Sequence, residues 1–448
     1  MMKTRSPWFW VPTLYFAQGI PYFIVNNISV MMFTKMGVPN GEMALFTSLL
    51  YLPWSFKPFW SPFVDIIKTK RWWTITMQIL MSIAFILLTM TIPTPSEEMM
   101  ASQSTPISMF TVTLLLFTIT AFASATHDIA ADGFYMLALP QNKQAEFVGI
   151  RSTFYRLASI FGQGVLVAIA GAIELSSQNI PLSWRITMLV TAVIFSAATL
   201  YHTFFVPRPD SDRSVLGAEK ASAKAIFREF GRTFVTYFKK PGVILAICFM
   251  LLYRLPEAFL LKLCMPFLVA SKEMGGLALS TAEVGIVYGT IGVIFLTIGG
   301  ILGGIFASRM GLKKSLWVMA ACMTLPCLTF VYLAIDLPTN LIIISIAIAI
   351  EQFGYGFGFT AYMLYMMHFS EGEFKTSHYA ICTAFMALSM LLPGMVAGYI
   401  QEAIGYVNFF WMVMGCCIAT LIVTYFADKK IDPPLEKNKF SEEKVLKC

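Results

Sequence analysis

With 57% hydrophobic and only 13% charged residues over 448 positions, and a mean hydropathy of +0.70, the chain is too apolar to remain in water as a folded globule. It reads as a polytopic membrane protein, and its formal charge of +7 is a matter of topology: the basic residues sit in short loops and build no nucleic-acid face. Every cysteine except Cys448 lies in an apolar segment, which excludes an extracellular disulfide framework, and Cys322 and Cys327 lack the companions a metal site needs.

Lys3 and Arg5 precede the first apolar run, 8–33, which is too long for a signal peptide, is interrupted by Pro21, Asn26 and Asn27, and has no small-residue cleavage pattern. It is therefore an uncleaved first span. Further spans centre on 43–63, 72–92, 107–138, 147–173, 185–206, 243–269, 284–306, 316–335, 341–369, 380–400 and 409–427, about twelve in all. The fourth ends in SATHDIAADGFYMLAL, where Asp128 and Asp132 stand four apart and so share one helix face about a turn from each other. An ionised Asp at bilayer depth costs roughly 2.5–3.5 kcal/mol, so both must face protein or water. They form either a proton- or substrate-handling site or a pair that caps and bridges near the cytoplasmic surface.

One set of loops carries 25 of the 32 Lys and Arg, Arg151 counted among them, while the opposite set carries only Lys35 and Lys272. Both termini and the middle loop are thus expected in the cytoplasm. That middle loop, 207–240, is Arg/Lys-rich and amphipathic over 223–238, predicting a helix along the inner surface. It divides the chain into a six-helix half at 1–206 and another at 241–428, followed by a polar tail at 429–448. Loop 61–72 (SPFVDIIKTKRW) echoes 304–317 (GIFASRMGLKKSLW), and 134–149 echoes 362–380, which in two six-span halves is the pattern of an alternating-access transporter.

Gly304, Ser308, Arg309, Gly311, Lys313 and Lys314 together resemble the loop motif of the major facilitator superfamily, with Ser308 where Asp is usual. The first-half copy keeps Asp65 but has Ser61 for Gly and a shifted basic cluster containing Arg71. The resemblance narrows to AmpG-type muropeptide permeases and the related acetyl-CoA transporters. It is carried in order by Gln18-Gly19-Ile20-Pro21, 56–62 (FKPFWSP) leading to Asp65, Asp128-Ile129 with Asp132, Tyr155-Arg156-Leu157, Leu252-Tyr253-Arg254 with Glu257, Glu283-Val284-Gly285, Glu351 and Pro393-Gly394 with Gly398. It implies an all-α fold of twelve transmembrane helices and no enzymatic activity. No cofactor is implied; a proton gradient would be the driving force. Asp128 and Asp132 match the family's acidic pair, with proton coupling the implied role, and Lys57, Arg156 and Glu351 match charged positions. Arg254 and Glu257 keep the sign but replace Lys and Asp. His127 stands where Gln is usual; it either joins a proton relay or packs neutral and hydrogen-bonded.

Among residues within or bordering spans, Lys57 and Arg156 are expected partners for the fourth-span carboxylates, and Arg254 and Glu257 are expected to bridge each other or line the cavity. Lys262 is expected to snorkel to the outer interface, and Arg185 to anchor there. Gln18, Tyr22, Asn26, Asn27, Gln163, Tyr253 and Gln352 supply the amides and aromatic faces of a cavity that would suit a sugar amphiphile. Asp65, Arg71, Arg309 and Lys313 are expected gating residues. The function expected is a monomeric proton symporter of the bacterial inner membrane that imports N-acetylglucosaminyl-anhydromuramyl-peptides. An acetyl-CoA or other organic-anion carrier is the alternative, and an embedded acyl- or glycosyltransferase a distant one, because the external loops are too short for an active-site domain.

Overall fold

The structure, a computed structural model, describes residues 6–93, 109–212, 223–371 and 375–430. The 213–222 part of the expected linker, the tail beyond 430 and the side chain of Asp65 lie outside the described residues. Among the described residues every regular element is a helix. Among the described residues twelve helical stretches follow one another, of which α3 to α12 are long and apolar enough to cross a membrane (α11 and α12 as one continuous run): α1 (11–35), α2 (40–66), α3 (Lys70–Thr91), α4 (Met109–Ala138), α5 (141–177), α6 (Ile180–Phe205), α7 (Val243–Val269), α8 (Thr281–Met310), α9 (Leu312–Asp336), α10 (Leu341–Phe369), α11 (375–404) and α12 (406–430).

Several passes are broken, and the sequence supplies the reason each time. Pro21 in α1 cannot donate to the preceding turn, and a π-helical turn follows at Ile24–Ile28. Two more π-turns form where glycines cluster, at Ile160–Leu166 in α5 and Val287–Gly292 in α8, and the α5 turn packs against both of the others. Helix α7 stops at Leu252 and restarts at Leu255, just ahead of Pro256, which leaves Arg254 in the gap. Gly405, at φ 75°, turns α11 directly into α12. Helix α8 begins three residues before the expected 284 because Ser280 and Glu283 form a capping box.

The first six passes meet the last six most closely at the end carrying the 36–39 and 402–406 turns. Gly398 lies on the Asn40 backbone so tightly that a Cβ would stand 1.9 Å from the Asn40 oxygen, and Gly289 sits equally close to the Gln163 oxygen. Polar ties hold the same seam. Asn40 Nδ2 donates to Gln401 Oε1 (2.6 Å) and Tyr406 Oη (3.0 Å), and the Gly41 amide donates to Glu402 (2.7 Å). Lys35 pairs with Glu174 at 2.7 Å, and Glu174 in turn accepts from Thr281 on α8.

At the opposite end, where the basic loops lie, helix Ala223–Phe238 spans between the two sets. Phe234 packs on Phe59 of α2 (5.5 Å between centroids), Thr236 meets His378 of α11 (3.2 Å), and Tyr237 meets Cys382 (3.4 Å). Its Thr233 and Tyr237 are buried while Arg228, Val235 and Phe238 are exposed. The expected surface helix is therefore also a brace beneath α2 and α11. A belt of exposed Ile, Leu, Val and Phe, including Ile83, Leu87, Leu189, Val193 and Ile346, covers the flanks where lipid lies.

Candidate functional site

Helix α4 turns both of its carboxylates into the bundle, toward α1, α2 and α5. Asp128 Oδ2 accepts from Trp54 Nε1 at 3.1 Å, with Gln18 beside it and Lys57 acting on it through charge. Asp132, one turn on, accepts from Arg151 Nη2 and from Tyr15 Oη, both at 2.9 Å. The Arg151 guanidinium is itself clasped between the rings of Tyr15 (4.4 Å) and Tyr135 (5.1 Å). The partner of Asp132 is thus Arg151, which the sequence placed among the loop cations, and not Arg156. Five residues separate the two arginines on α5, which turns them about 140° apart. Arg156 accordingly reaches the other way, to Thr297 Oγ1 of α8 at 3.3 Å and alongside Gly300.

His127, although next to Asp128 in sequence, faces α3 and α6. Its Nε2 lies 3.0 Å from Gln78 Nε2, Gln78 Oε1 lies 3.1 Å from His202 Nδ1, and His202 Nε2 lies 3.0 Å from Thr13 Oγ1. With the amide nitrogen donating, His127 Nε2 accepts, and the buried Nδ1 meets no hydrogen-bond partner. Of the two readings open in the sequence, the geometry favours neutral packing.

Between the two sets of helices lies an aromatic space. Tyr22 is edge-on to Trp54 (5.2 Å) and close to Tyr51 and Tyr155 (6.4 Å each). From the other side Arg254, freed by the break in α7, donates to the Tyr355 hydroxyl and lies over the Phe359 ring at 4.7 Å. Arg254 and Glu257 make no ion pair within 4 Å among the described residues, contrary to the expected bridge. Glu257 instead faces Glu351 of α10, neither of its oxygens meets a hydrogen-bond donor, and Gln352 donates to Glu351 Oε2 at 2.9 Å.

Lys262 corrects the sequence reading most sharply. It does not snorkel: only 7% exposed, it lines a small internal cavity with Asn26, Asn27, Tyr51 and Tyr288. Two expected cavity residues are packing residues. Gln163 donates to Ser159 (2.8 Å) beneath the α5–α8 crossing, and Tyr253 donates to the Gly358 carbonyl (3.2 Å) in a fully buried aromatic stack. Arg185 does anchor a helix end, donating to the Ile92 carbonyl at 3.3 Å. Arg71 ties α3 to the end of α6 through the carbonyls of Val206 and Thr203, and the Asp212 carboxylate caps α3 by accepting from the Lys70 and Arg71 amides (2.7 and 2.9 Å). Arg309 is exposed, with Lys313 in the first turn of α9, at the same end of the bundle. Sequence reasoning missed Tyr15, Tyr51, Trp54, Arg151 and Lys262 as site residues. Only Trp54 and Tyr51, directly ahead of the FKPFWSP run, carried a local signal.

The arrangement holds charged and aromatic groups inside a seam that is closed at one end, which suits binding and passage of a polar solute. The family model described as Major Facilitator Superfamily matches residues 13–377 and 257–447. The chain is 24% identical over 430 residues to a putative transporter, AmpG 4, of Rickettsia felis, covering 92% of this chain and 94% of that one. It is also 24% identical to the anhydromuropeptide permease of Escherichia coli K12, covering 91% and 77%. Among solved structures, an inward-facing, unoccupied bacterial homologue of the human lysosomal transporter Spinster superposes with a TM-score of 0.69 at 14% identity (96% and 97% covered). A D-xylose–proton symporter does so at 0.68 and 13% identity (94% and 97% covered). At these identities the structural likeness speaks for the fold.

Proposed function

The chain belongs to the major facilitator superfamily, and we propose that within it the chain is a proton-coupled importer of cell-wall muropeptides, of the GlcNAc-anhydroMurNAc-peptide kind, working by alternating access across the bacterial inner membrane. Multi-pass membrane transport of a small molecule is the shared activity of its relatives. The finer reading rests on their AmpG-type names and on one observation in this chain. Asp128 sits in the middle of the bundle, in contact with α1 and α2 and one turn from a second carboxylate, where protonation can be read by both neighbours. A proton taken up by Asp128 removes one of two negative charges that stand a helical turn apart. Loading that proton loosens the Lys57 and Trp54 contacts to Asp128 and biases the choice between the inward-open and outward-open forms. The Lys/Arg asymmetry puts the zipped end, with its Lys35–Glu174 and Asn40–Gln401 ties, on the periplasmic side, and the protein acts as a monomer.

The test is uptake of labelled anhydromuropeptide into proteoliposomes under an imposed proton gradient. Asp128→Asn and Asp132→Asn are expected to abolish accumulation while the protein stays folded. Accumulation against a gradient by either variant would sink the coupling assignment. Competition by acetyl-CoA in place of anhydromuropeptide would favour the organic-anion reading, which the Lys57, Arg156 and Arg254 cations also suit.

A further inference from the structure

A buried ammonium group without a counter-ion needs an explanation. Lys262 Nζ has no hydrogen-bond partner, and no carboxylate acts on it. The acids nearest in sequence and fold, Glu257 and Glu351, face each other and not the lysine. On α7, Ala258, Leu261, Lys262 and Met265 recur at the spacing of one helix face, and that face is the wall of the internal cavity. Its far wall comes from the other set of helices. The π-turn in α1 brings Asn26 and Asn27 to the same cavity, and the Tyr51 ring of α2 lies 6.0 Å from Lys262 Nζ. On a third side α11 packs against the lysine stem at Gly394, where an added Cβ would touch Lys262 Cε at 3.7 Å and clash with Ser48 Oγ at 2.4 Å. The Asn26 Oδ1 and the Ser48 Oγ, which also borders Gly394, are likewise unpartnered.

We propose that Lys262 is the anion-binding residue of the transport site and holds a carboxylate of the cargo, with the Asn26 and Asn27 amides beside it. The inference rests on the reading of the chain as a small-molecule transporter and adds the chemical class of what it recognises: a solute whose polar body lies against the Tyr22–Trp54 aromatic surface and whose carboxylate enters this cavity. A lysine buried without a counter-ion either sits neutral or takes its anion from outside the chain, and the unpartnered amide and hydroxyl oxygens beside it mark this site as one open to a solute. A carboxylate from solution supplies the missing charge. Because the cavity draws its walls from α1, α2, α7 and α11, an anion seated there ties the two sets of helices together only while cargo is present.

Two readouts separate this idea from the function it rests on. In ligand-free protein in detergent, Lys262→Met removes an uncompensated charge at nearly constant shape and is expected to raise Tm by about 2 °C or more. A fall in Tm would show the lysine to be structural and would overturn the inference whatever the cargo. In proteoliposomes, uptake of GlcNAc-anhydroMurNAc-tripeptide is compared with uptake of the same compound carrying carboxamides for its carboxylates. Wild type is expected to prefer the carboxylate form, and Lys262→Met to lose about tenfold or more of that preference, with Lys262→Arg restoring part of it. An unchanged preference in Lys262→Met overturns the inference. If wild type transports neither compound, the muropeptide reading fails, and the sign of the Tm change still decides whether Lys262 is held for a ligand.

Discussion

Gly398→Ala tests the closed seam. A Cβ at 398 would lie 1.9 Å from the Asn40 oxygen and 2.3 Å from its carbonyl carbon, both backbone atoms that cannot swing aside. Reaching the 3.4 Å of ordinary contact requires α2 and α11 to part by 3.4 − 1.9, about 1.5 Å. That displacement also stretches the 2.6 Å Asn40–Gln401 and 2.7 Å Gly41–Glu402 hydrogen bonds beyond useful length. Overpacking of this kind costs about 1–3 kcal/mol, paid only in the closed form, so the closed population should fall roughly 5- to 150-fold relative to the form open at this end. Spin labels at Gln178→Cys and Ala403→Cys, both exposed and on opposite sets of helices, report the change by double electron–electron resonance as a shift to longer distances. Gly415→Ala, where nothing lies within 4 Å, is the matched control and should leave the distribution unchanged. A Gly398→Ala protein with the wild-type distance distribution would refute the assignment of this contact as the closed gate.

Gln78→Leu should break the His127–Gln78–His202–Thr13 chain and strand two buried imidazoles, costing about 2–3 kcal/mol in thermal stability. Because His127 faces away from Asp128, the pH profile of uptake by whatever folds should keep its shape, and a displaced profile would return His127 to the proton path. The Asp132–Arg151 pair, whose side chains remain 41% and 29% exposed, should show a coupling of about 1 kcal/mol or less in an Asp132→Asn/Arg151→Gln double-mutant cycle on Tm. A coupling above about 3 kcal/mol would mark it as a buried pair. Asp212→Ala removes the carboxylate that caps α3 and should lower stability by about 1 kcal/mol, an effect that shrinks as salt is added. Insensitivity to salt would show that the cap works through geometry and not charge.

The passes and their loops were legible because apolar runs of membrane length leave few alternatives, and the Asp128/Asp132 face followed from helical spacing alone. Partner choice was not legible. Arg151 counted as a loop cation because polar residues crowd 141–151, yet α5 already begins at Gln141 and carries the arginine inward. Lys262 stood near the expected outer end of its span, where snorkelling is the rule. Only the rotation of α7, set by its break ahead of Pro256, turns that side chain to the centre. Gln163 and Tyr253 looked like cavity residues because polar atoms in apolar helices invite that reading. Each instead satisfies itself locally, through Ser159 and the Gly358 carbonyl, while its backbone or ring fills a close crossing.

The π-turn at Ile160–Leu166 lies against both of the others, at Ile24–Ile28 and Val287–Gly292. Each holds a surplus residue relative to a regular α-helix, and such a surplus can migrate along the chain by exchanging hydrogen-bond partners one at a time. Moving it by one position turns the residue it passes by about 100° about the helix axis and leaves the flanking turns in place. In α1 that rotation would reorient Asn26 or Asn27 against the part of the helix bearing Gln18, which borders Asp128. The carboxylate side of the bundle and the lysine cavity are thereby linked through the winding of one helix.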